Sequence, residues 1–296
     1  MIGRFRSSTL AVVILRFSKY EGLGNDFLVV REDDASRLLS PAIVARLCDR
    51  NFGVGADGVL IVGRDGDMPA MRVINADGSE PEMCGNGLRC VALFLVEQGL
   101  ASTVGPHSEL VVQTGAGPHP VSVDSSVKPA QVRVHMRPAS LLAGEVLRDG
   151  QGEWVEKAFE GSGPRLTMVS MGNPHAVTFD PVADMPRLGP LLEKDVRFRA
   201  GANIGFARLK APTRLDLTVW ERGVGFTRAC GTGACAAAVA AVETGRSPRG
   251  EELQVCLPGG PLRIRVRERA DPIEMTGPAR HVFEGQVSLQ DFGAPA

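Results

Sequence analysis

The sequence predicts an α+β protein of two pseudo-symmetric domains that arose by internal duplication. Each domain is expected to be a curved, mostly antiparallel sheet or open barrel around one central, buried helix. Three observations lead to this prediction. The 296 residues suffice for two domains of ordinary size. A cysteine-containing segment occurs twice, and each copy runs from a strand-type segment into an apolar, helix-type segment.

The duplicated segment centres on a cysteine that is followed by Gly-x-Gly. Residues 71–87 (MRVINADGSEPEMCGNG) align without a gap with residues 217–233 (LTVWERGVGFTRACGTG), so that the two cysteines coincide. Upstream, GNDFLVV at 24–30 resembles GNPHAVTF at 172–179. Matches at separate places in the same order indicate an internal duplication.

The first half contains strand-type runs, one amphipathic helix and one buried helix. The strands are expected at 27–30 (FLVV), 58–63 (GVLIVG), 72–75 (RVIN) and 109–114 (ELVVQT). Residues 40–50 (SPAIVARLCDR) predict an amphipathic helix with Ser40 as N-cap and Pro41 at its first position. Residues 88–99 are apolar almost all round, which predicts a buried helix ending at Gly99.

The second half repeats this order. Residues 217–220 (LTVW) predict a strand, and 234–245 (ACAAAVAAVETG) predict a second buried helix that ends at Gly245. Residues 261–268 (PLRIRVRE) predict a further strand whose arginines face solvent. The polar, proline-containing residues 125–136 lead from one half into the next and place the boundary near residue 135.

Charge and composition exclude several classes of function. Lys and Arg number 33 against 34 Asp and Glu, which gives no reason to expect nucleic acid or an anionic membrane as partner. The apolar run Leu10–Leu15 is too short for a membrane span and lacks a cleavage site, so we expect an extra strand or an untrimmed start. Six cysteines without a CxxC spacing favour reduced thiols in a cytoplasmic protein over a zinc site.

Each Cys-Gly-x-Gly places a thiol at the N-terminus of a buried helix. Free backbone N–H groups and the helix dipole favour negative charge there, so Cys84 and Cys230 are expected to have lowered pKa values. The glycines allow a ligand to approach those N–H groups closely. If the two halves face each other, both helix ends border one cleft between the domains.

Two thiols on opposite walls of a cleft can invert a tetrahedral carbon. One sulfur removes the proton, and the other returns a proton to the opposite face; the reverse reaction exchanges the two roles. No lysine lies in a segment that resembles a pyridoxal phosphate site. In a site without a cofactor, carbanion charge would then depend on preorganised donors at the helix ends, in a closed, dry cleft.

Six segments resemble the diaminopimelate epimerase family, in that family's order and over residues 17–289. They are FSKYEGLGNDF (17–27), INADGSEPEMCGNGLRC (74–90), SMGNPHAV (170–177), ANIGF (202–206), ERGVGFTRACGTGACAA (221–237) and MTGPARHVFEG (275–285). The resemblance implies interconversion of L,L- and meso-diaminopimelate for lysine biosynthesis and peptidoglycan, without cofactor or metal. It also implies that residues 277–296 return to the first domain (1–135), beside a second domain at 136–276, and it allows a homodimer.

The resemblance implies roles for individual residues. Cys84 and Cys230 match the catalytic cysteines, and Arg222 matches the ligand of the distal carboxylate, paired with Glu221. His175 matches a histidine near the reacting centre, although it could instead brace the turn after Pro174. The remaining matches are residues that bind the reacting α-carboxylate through their backbone or bind substrate through asparagine side chains: Gly85, Asn86, Gly231, Thr232, Asn25, Asn75, Asn173 and Asn203.

Two positions depart from the family pattern. Gly58 stands where some members carry glutamine as a substrate contact, so that contact is absent or replaced. Residues 1–15 have no counterpart in the usual family start. The other four cysteines lie in apolar or strand contexts and are read as core thiols: Cys48, Cys90, Cys235 and Cys256.

Three alternatives remain open at this point. The chain could be a racemase or epimerase of proline, hydroxyproline or another amino acid on a related fold. It could also be an isomerase of the same scaffold, although the intact cysteine pair counts against that. A different class is a redox or binding protein in which Cys84 and Cys230 form a reversible disulfide.

Overall fold

The computed structural model describes residues 12–33, 36–101, 105–159 and 163–293. Within them, sixteen strands form one sheet, and there are four α-helices. The strands are β1 (Ile14–Gly22), β2 (Asn25–Arg31), β3 (Gly58–Asp65), β4 (Met68–Asn75), β5 (His107–Thr114), β6 (Gly117–Asp124), β7 (Ala130–Met136), β8 (Lys157–Ala158), β9 (Arg165–Ser170), β10 (Pro174–Thr178), β11 (Asn203–Ala211), β12 (Arg214–Glu221), β13 (Gly225–Phe226), β14 (Glu252–Leu257), β15 (Gly260–Arg265) and β16 (Ile273–Ser288). The helices are α1 (Pro41–Cys48), α2 (Gly85–Glu97), α3 (Met185–Glu193) and α4 (Gly231–Glu243).

The first half is a closed ring of eight strands. Strands β1 to β7 pair in chain order, and β16 closes the ring by pairing with both β7 and β1. Helix α2 lies inside and contacts all eight strands. Its residues from Gly85 to Leu95 are all buried, because their side chains are apolar almost all round. The predicted sheet around a central buried helix is confirmed here.

The second half is an open arc around α4. Its strand order from β16 is β15, β14, β12, β11, β10, β9 and β8, and β13 pairs with β12 at the side. Alanine is the commonest residue of α4, and its small side chains let the surrounding strands approach the helix closely. The predicted α+β fold with two similar halves is therefore confirmed, with one half closed and the other open.

The two halves share one pattern of strand directions. In the first, the pairs β1–β2, β3–β4 and β5–β6 are antiparallel, whereas β2–β3 and β4–β5 are parallel. The second repeats this order: β9–β10, β11–β12 and β14–β15 are antiparallel, whereas β10–β11 and β12–β14 are parallel. This agreement extends the duplication seen in the sequence from the cysteine segments to the whole sheet.

Both central helices end in the same way. Gly99 follows α2 with φ 64°, and Gly245 follows α4 with φ 70°. After α2, the N–H of Gly99 donates to Val96 O (3.1 Å) and the N–H of Leu100 donates to Leu95 O (2.8 Å), and α4 repeats both bonds. Only glycine adopts such a φ at little cost, so the predicted terminal glycines are confirmed.

The predicted amphipathic helix at 40–50 is also confirmed. Ser40 caps α1 by accepting a hydrogen bond from the Ile43 N–H (3.4 Å), and Pro41 is the first helical residue. The run Leu10–Leu15 is described only in part, because residues 1–11 lie outside the described residues. Ile14 and Leu15 begin β1 and pair with the end of β16.

The division of the chain near residue 135 stays a prediction. Strand β16 pairs with β7 and β15 through its first residues and with β1 through its last, so one sheet runs through both halves. No helix in the described part of the chain is both long and apolar enough to cross a membrane.

Candidate active site

The two cysteines of the repeat occupy the same position in their helices. Cys84 is the N-cap of α2, and its Sγ accepts a hydrogen bond from the Gly87 N–H at 3.3 Å. Cys230 is the N-cap of α4, and its Sγ accepts from the Gly233 N–H at 3.3 Å. Both cysteines have extended backbone, as N-cap residues do. Each thiol therefore lies at the positive end of a buried helix.

The two helix N-termini meet at the side chain of Met275. A Cβ added to Gly85 would lie 3.0 Å from Met275 Cε, and one added to Gly231 would lie 3.1 Å from Met275 Sδ. Met275 is 0% exposed. The side chain of Asn86 joins the same two segments, because its Nδ2 donates to the Ala229 carbonyl at 3.0 Å. The residues beside both cysteines thus form one site.

The expected lowering of the thiol pKa values is wrong. Burial raises the pKa of Cys84, against the opposing effect of the backbone N–H groups of Gly87 and Asn86. Burial and the charge of Glu221 raise the pKa of Cys230 well above its usual value. Loss of hydration therefore raises the pKa of each thiol by more than the backbone N–H groups at the helix N-terminus lower it. Cys84 is partly exposed, and Cys230 is 6% exposed.

Glu221 marks the difference between the two halves. It ends β12, accepts a hydrogen bond from Thr227 Oγ1 and interacts with the Cys230 thiol. Burial raises the pKa of Glu221. Asn75 holds the aligned position at the end of β4 and is neutral; its Nδ2 donates to Ser79 Oγ at 3.0 Å. A carboxylate therefore stands beside one cysteine and has no aligned counterpart in the first half.

A chain of hydrogen bonds leads from Cys230 to His175. Cys230 Sγ lies 3.7 Å from Thr232 Oγ1, and Thr232 Oγ1 accepts from Asn173 Nδ2 at 3.2 Å. Because this bond uses only a lone pair of the Thr232 hydroxyl, the hydroxyl proton is free to point at the sulfur of Cys230. Asn173 Oδ1 lies 3.0 Å from His175 Nε2 and accepts a hydrogen bond from the Nε2–H group.

His175 is neutral in this arrangement. It is 1% exposed, and burial lowers its pKa to about 3, with the charge of Arg222 acting in the same direction. A neutral imidazole with its proton on Nε2 fixes the orientation of the Asn173 amide. His175 therefore braces the site through Asn173.

Asn203 and Arg222 lie on the far side of His175. Asn203 begins β11, where it pairs with His175; its Nδ2 donates to Pro174 O at 3.1 Å, and its Oδ1 accepts from the Arg222 N–H at 2.9 Å. The exposed Arg222 side chain donates to Ala200 O at 2.9 Å. Its guanidinium is thus available at the rim, whereas Asn203 is held by backbone on both sides.

Asn25 and Asn86 form a second chain on the α2 side. Asn86 Nδ2 donates to Asn25 Oδ1 at 3.0 Å, and Asn25 Nδ2 donates to Asp57 Oδ2 at 2.6 Å. Asp57 is paired with Arg50 at 2.7 Å. Asn86 Oδ1 is buried and has no hydrogen-bond partner among the described residues. It is an open acceptor 3.5 Å from where a Cβ on Gly231 would lie.

Gly58 leaves no room for the side chain that some family members carry there. It begins β3 opposite Asn75, and an added Cβ would lie 2.7 Å from the Ile74 carbonyl oxygen. The glutamine contact is therefore absent at this position. Asp57, immediately before it, supplies the polar side chain that bonds to Asn25.

The residues around the cysteines were predictable from the sequence, but several side chains that contact those residues were not. Asp57, Thr227 and Met275 were not predicted, although they lie within or beside the GADG, FTRACG and MTG segments. Cys48, Cys90 and Cys235 are buried as expected, Cys256 is partly exposed, and all six thiols are free. Among the described residues, no three His, Cys, Asp or Glu side chains are grouped so that they could hold a metal ion.

The family model of diaminopimelate epimerase matches residues 17–142 and 167–282. The chain belongs to this family. It is 47% identical to the diaminopimelate epimerase of Synechococcus elongatus over 287 residues, which cover 93% of this chain and 99% of the relative. It is 45% identical to the chloroplastic diaminopimelate epimerase of Oryza sativa subsp. japonica over 291 residues, covering 92% of this chain and 80% of that one. The chain is thus an isomerase of this family.

Solved structures with the same fold include more distant proteins. A hydroxyproline epimerase from Agrobacterium vitis has a TM-score of 0.67 at 16% identity, covering 94% of this chain and 93% of that one. A probable proline racemase from Agrobacterium radiobacter K84 has a TM-score of 0.69 at 16% identity, covering 94% of both chains. At these identities the likeness concerns the fold alone.

Proposed function

We propose that this member of the diaminopimelate epimerase family interconverts L,L- and meso-diaminopimelate with Cys84 and Cys230 as its acid and base. The observation that carries the proposal is the pair of thiols that cap two buried helices on either side of Met275. A relative that is 47% identical bears the name of this epimerase, whereas a hydroxyproline epimerase and a probable proline racemase resemble this chain at 16% identity.

The chemistry balances with one thiol and one thiolate. The thiolate takes the proton from Cα and becomes a thiol, while the electron pair stays on the substrate as a carbanion. The opposite thiol gives its proton to the other face of that carbon and becomes a thiolate. Backbone N–H groups of the first helical residues hold the α-carboxylate and the charge that spreads into it: Gly85, Asn86, Gly231 and Thr232.

The two ends of the substrate require different partners. Asn86 Oδ1 is buried and has no hydrogen-bond donor among the described residues. The α-ammonium group of the substrate can supply that donor. Arg222 at the rim suits the distal carboxylate. The family resemblance assigns further substrate contacts to four asparagines: Asn25, Asn75, Asn173 and Asn203. A simpler amino acid leaves such polar groups unpaired, which gives selectivity.

The proposed activity implies a metabolic role for the protein. Its product serves lysine biosynthesis and peptidoglycan. Its expected partner is the small-molecule substrate, and we expect no nucleic acid partner. Six free cysteines support a reducing, cytoplasmic location. We expect a homodimer from the family resemblance, and light scattering after gel filtration would measure it. Activity without cofactor or metal also stays a prediction.

Incubation of the reduced protein with L,L-diaminopimelate in D₂O tests the substrate. We expect NMR to show formation of the meso isomer, with deuterium at the inverted Cα. Parallel samples with L-proline and trans-4-hydroxy-L-proline are expected to stay unchanged; inversion of either one in place of diaminopimelate would contradict the assignment. Thiol titration before and after oxidation tests the redox alternative, which requires a Cys84–Cys230 disulfide that is compatible with function.

A further inference from the structure

The carboxylate of Glu193 contacts both ends of the segment that carries Glu221 and Arg222. Glu193 is the last residue of α3 and is 8% exposed. Its Oε2 accepts a hydrogen bond from Trp220 Nε1 at 2.7 Å, and Trp220 immediately precedes Glu221. Its Oε1 accepts from the Gly223 N–H at 2.9 Å, and Gly223 immediately follows Arg222. One buried carboxylate therefore brackets the acidic and basic residues of the site.

This segment forms a tight turn between β12 and β13. Glu221 pairs with Gly225, and the Val224 N–H donates to the Glu221 carbonyl oxygen at 3.1 Å. The tip of the turn faces solvent, since Val224 is 72% exposed. Surface turns move more than the elements that they connect. The two hydrogen bonds to Glu193 tie this turn to α3.

Packing holds the indole of Trp220 beside Glu193. A Cβ added to Gly189, one helical turn before Glu193, would lie 2.8 Å from Trp220 Cδ2. The Phe226 ring meets the indole edge to face, with ring centroids 5.0 Å apart. The indole thus contacts both α3 and β13, and its N–H group is directed at the carboxylate.

The same end of α3 lies beside the Arg222 side chain. A Cβ added to Gly201 would lie 2.8 Å from the Glu193 carbonyl oxygen and 3.3 Å from Arg222 Cδ. The Arg222 N–H donates to Asn203 Oδ1 at 2.9 Å, and its Nη1 donates to Ala200 O at 2.9 Å. The direction in which the guanidinium leaves the turn is therefore set by the backbone that Glu193 contacts on both sides.

The repeat places this arrangement in the second half alone. Helix α1 packs on β3 and β4, as α3 packs on β11 and β12, but α1 has no acidic residue. Ile74 aligns with Trp220 and has no side-chain donor. Ala76 aligns with Arg222 and carries no charge. The carboxylate, the indole and the guanidinium therefore occur together in the half whose cysteine has Glu221 beside it.

We propose that Glu193 is a positioning residue that fixes the turn of residues 221–224, so that the Arg222 guanidinium meets the distal carboxylate of the substrate. The inference rests on the proposed function, in which Arg222 binds that carboxylate. Glu193 acts through the turn and does not touch substrate. It contributes to selectivity, because a fixed guanidinium is left unpaired by an amino acid without a distal carboxylate.

Glu193→Gln tests the proposal with a side chain of the same size. Its amide offers one acceptor oxygen in place of two, so one of the two N–H donors loses its partner. We expect KM for diaminopimelate to rise about tenfold, the equivalent of one hydrogen bond, and kcat to stay within about twofold. The matched control is Glu156→Gln, which removes a carboxylate 2.6 Å from Arg246, beyond the C-terminal end of α4; both constants should stay unchanged.

A double-mutant cycle with Arg222→Met separates this role from a general loss of structure. If Glu193 acts through Arg222, Glu193→Gln should change kcat/KM by less than about twofold in the Arg222→Met background. Losses that multiply would overturn the proposal, as would wild-type KM in a folded Glu193→Gln protein.

The contact is also measurable without substrate, from the ¹⁵N–¹H signal of the Trp220 indole. Trp154 is the other tryptophan of the chain, and Trp154→Phe assigns the two signals. In Glu193→Gln the Trp220 proton is expected to move upfield, because a neutral amide is a weaker acceptor than a carboxylate, while the Trp154 signal stays in place. An unmoved Trp220 signal contradicts the contact.

Should Glu193→Gln fail to fold, Trp220→Phe decides. It keeps an aromatic ring and removes the N–H donor, so KM is expected to rise by a smaller factor; an unchanged KM would contradict the proposal. Because the indole signal needs no turnover, a wild-type protein that leaves diaminopimelate unchanged would count against the proposed function, whereas the signal still reports on Glu193.

Discussion

Replacement of Thr232 by valine removes one oxygen from the series of hydrogen bonds that leads from His175 to Cys230. The two side chains are nearly isosteric, so packing is retained while Thr232 Oγ1 is lost. That oxygen lies 3.7 Å from Cys230 Sγ and accepts from Asn173 Nδ2 at 3.2 Å. The substitution therefore deprives the Cys230 thiolate of a donor and leaves the Asn173 amide without its acceptor.

The magnitude follows from the type of bond. A hydrogen bond to a charged group contributes about 1.5–3 kcal/mol. The sulfur–oxygen distance of 3.7 Å is long, so the lower end applies. With 1.4 kcal/mol for each factor of ten, kcat/KM is expected to fall about tenfold. The same factor must appear in both directions, because the equilibrium constant between the two diastereomers does not depend on the enzyme.

The assay compares Thr232→Val with Thr232→Ser. Serine keeps the hydroxyl and is expected to stay within about twofold of wild-type kcat/KM, whereas valine loses the donor. Urea unfolding of both variants shows whether either effect is a loss of folded protein. Wild-type activity in the valine variant, or an equal loss in the serine variant, would refute the role given to this hydroxyl.

Four further outcomes are expected. Asn86→Ala removes bonds to Asn25 and Ala229, so the free energy of unfolding in urea should fall by about 2 kcal/mol; an unchanged value would contradict the link between the helix ends. Gly231→Ala puts a Cβ 3.1 Å from Met275 Sδ and should lower kcat/KM by about tenfold or more in a folded protein. His175 has a folded pKa of about 3 against 6.5 unfolded, so the unfolded state binds more protons in this window. Stability should therefore decline below pH 6.5 by about 1.4 kcal/mol per pH unit, and His175→Gln should flatten this slope in urea titrations at several pH values. Dialysis against ethylenediaminetetraacetate should leave kcat unchanged, and recovery of lost activity by a metal ion would contradict the proposed chemistry.

The repeat made the central elements of the fold predictable. Two apolar segments that end in Gly99 and Gly245 predict buried helices followed by a glycine with positive φ, and the structure has both. The closure of the eight-stranded ring could not be predicted from local sequence patterns, because Ile14 pairs with Ser288 near the other end of the chain. Helix α3 was missed since it contains Pro190 and Gly189, which are poor helix formers; Gly189 is there because it packs against the Trp220 ring.

The part of the site that was predictable from the sequence is the part built by the repeated motif itself. The position of both cysteines at helix N-termini followed from Gly-x-Gly and the apolar segment after it. Their raised pKa values did not, because the helix-end argument leaves out hydration, which depends on how completely the folded chain covers each sulfur. The bond from Asn25 to Asp57 depends on strand register, which the sequence pattern does not contain.

The most direct test of the two-thiol account is the early isotope pattern in D₂O, starting from L,L-diaminopimelate. With separate acid and base, the first meso product should carry deuterium at the inverted Cα while the remaining L,L isomer keeps its protium. Cys84→Ser and Cys230→Ser should each lose inversion. Deuterium in recovered L,L-diaminopimelate as fast as in product, or wild-type inversion in either serine variant, would contradict the account.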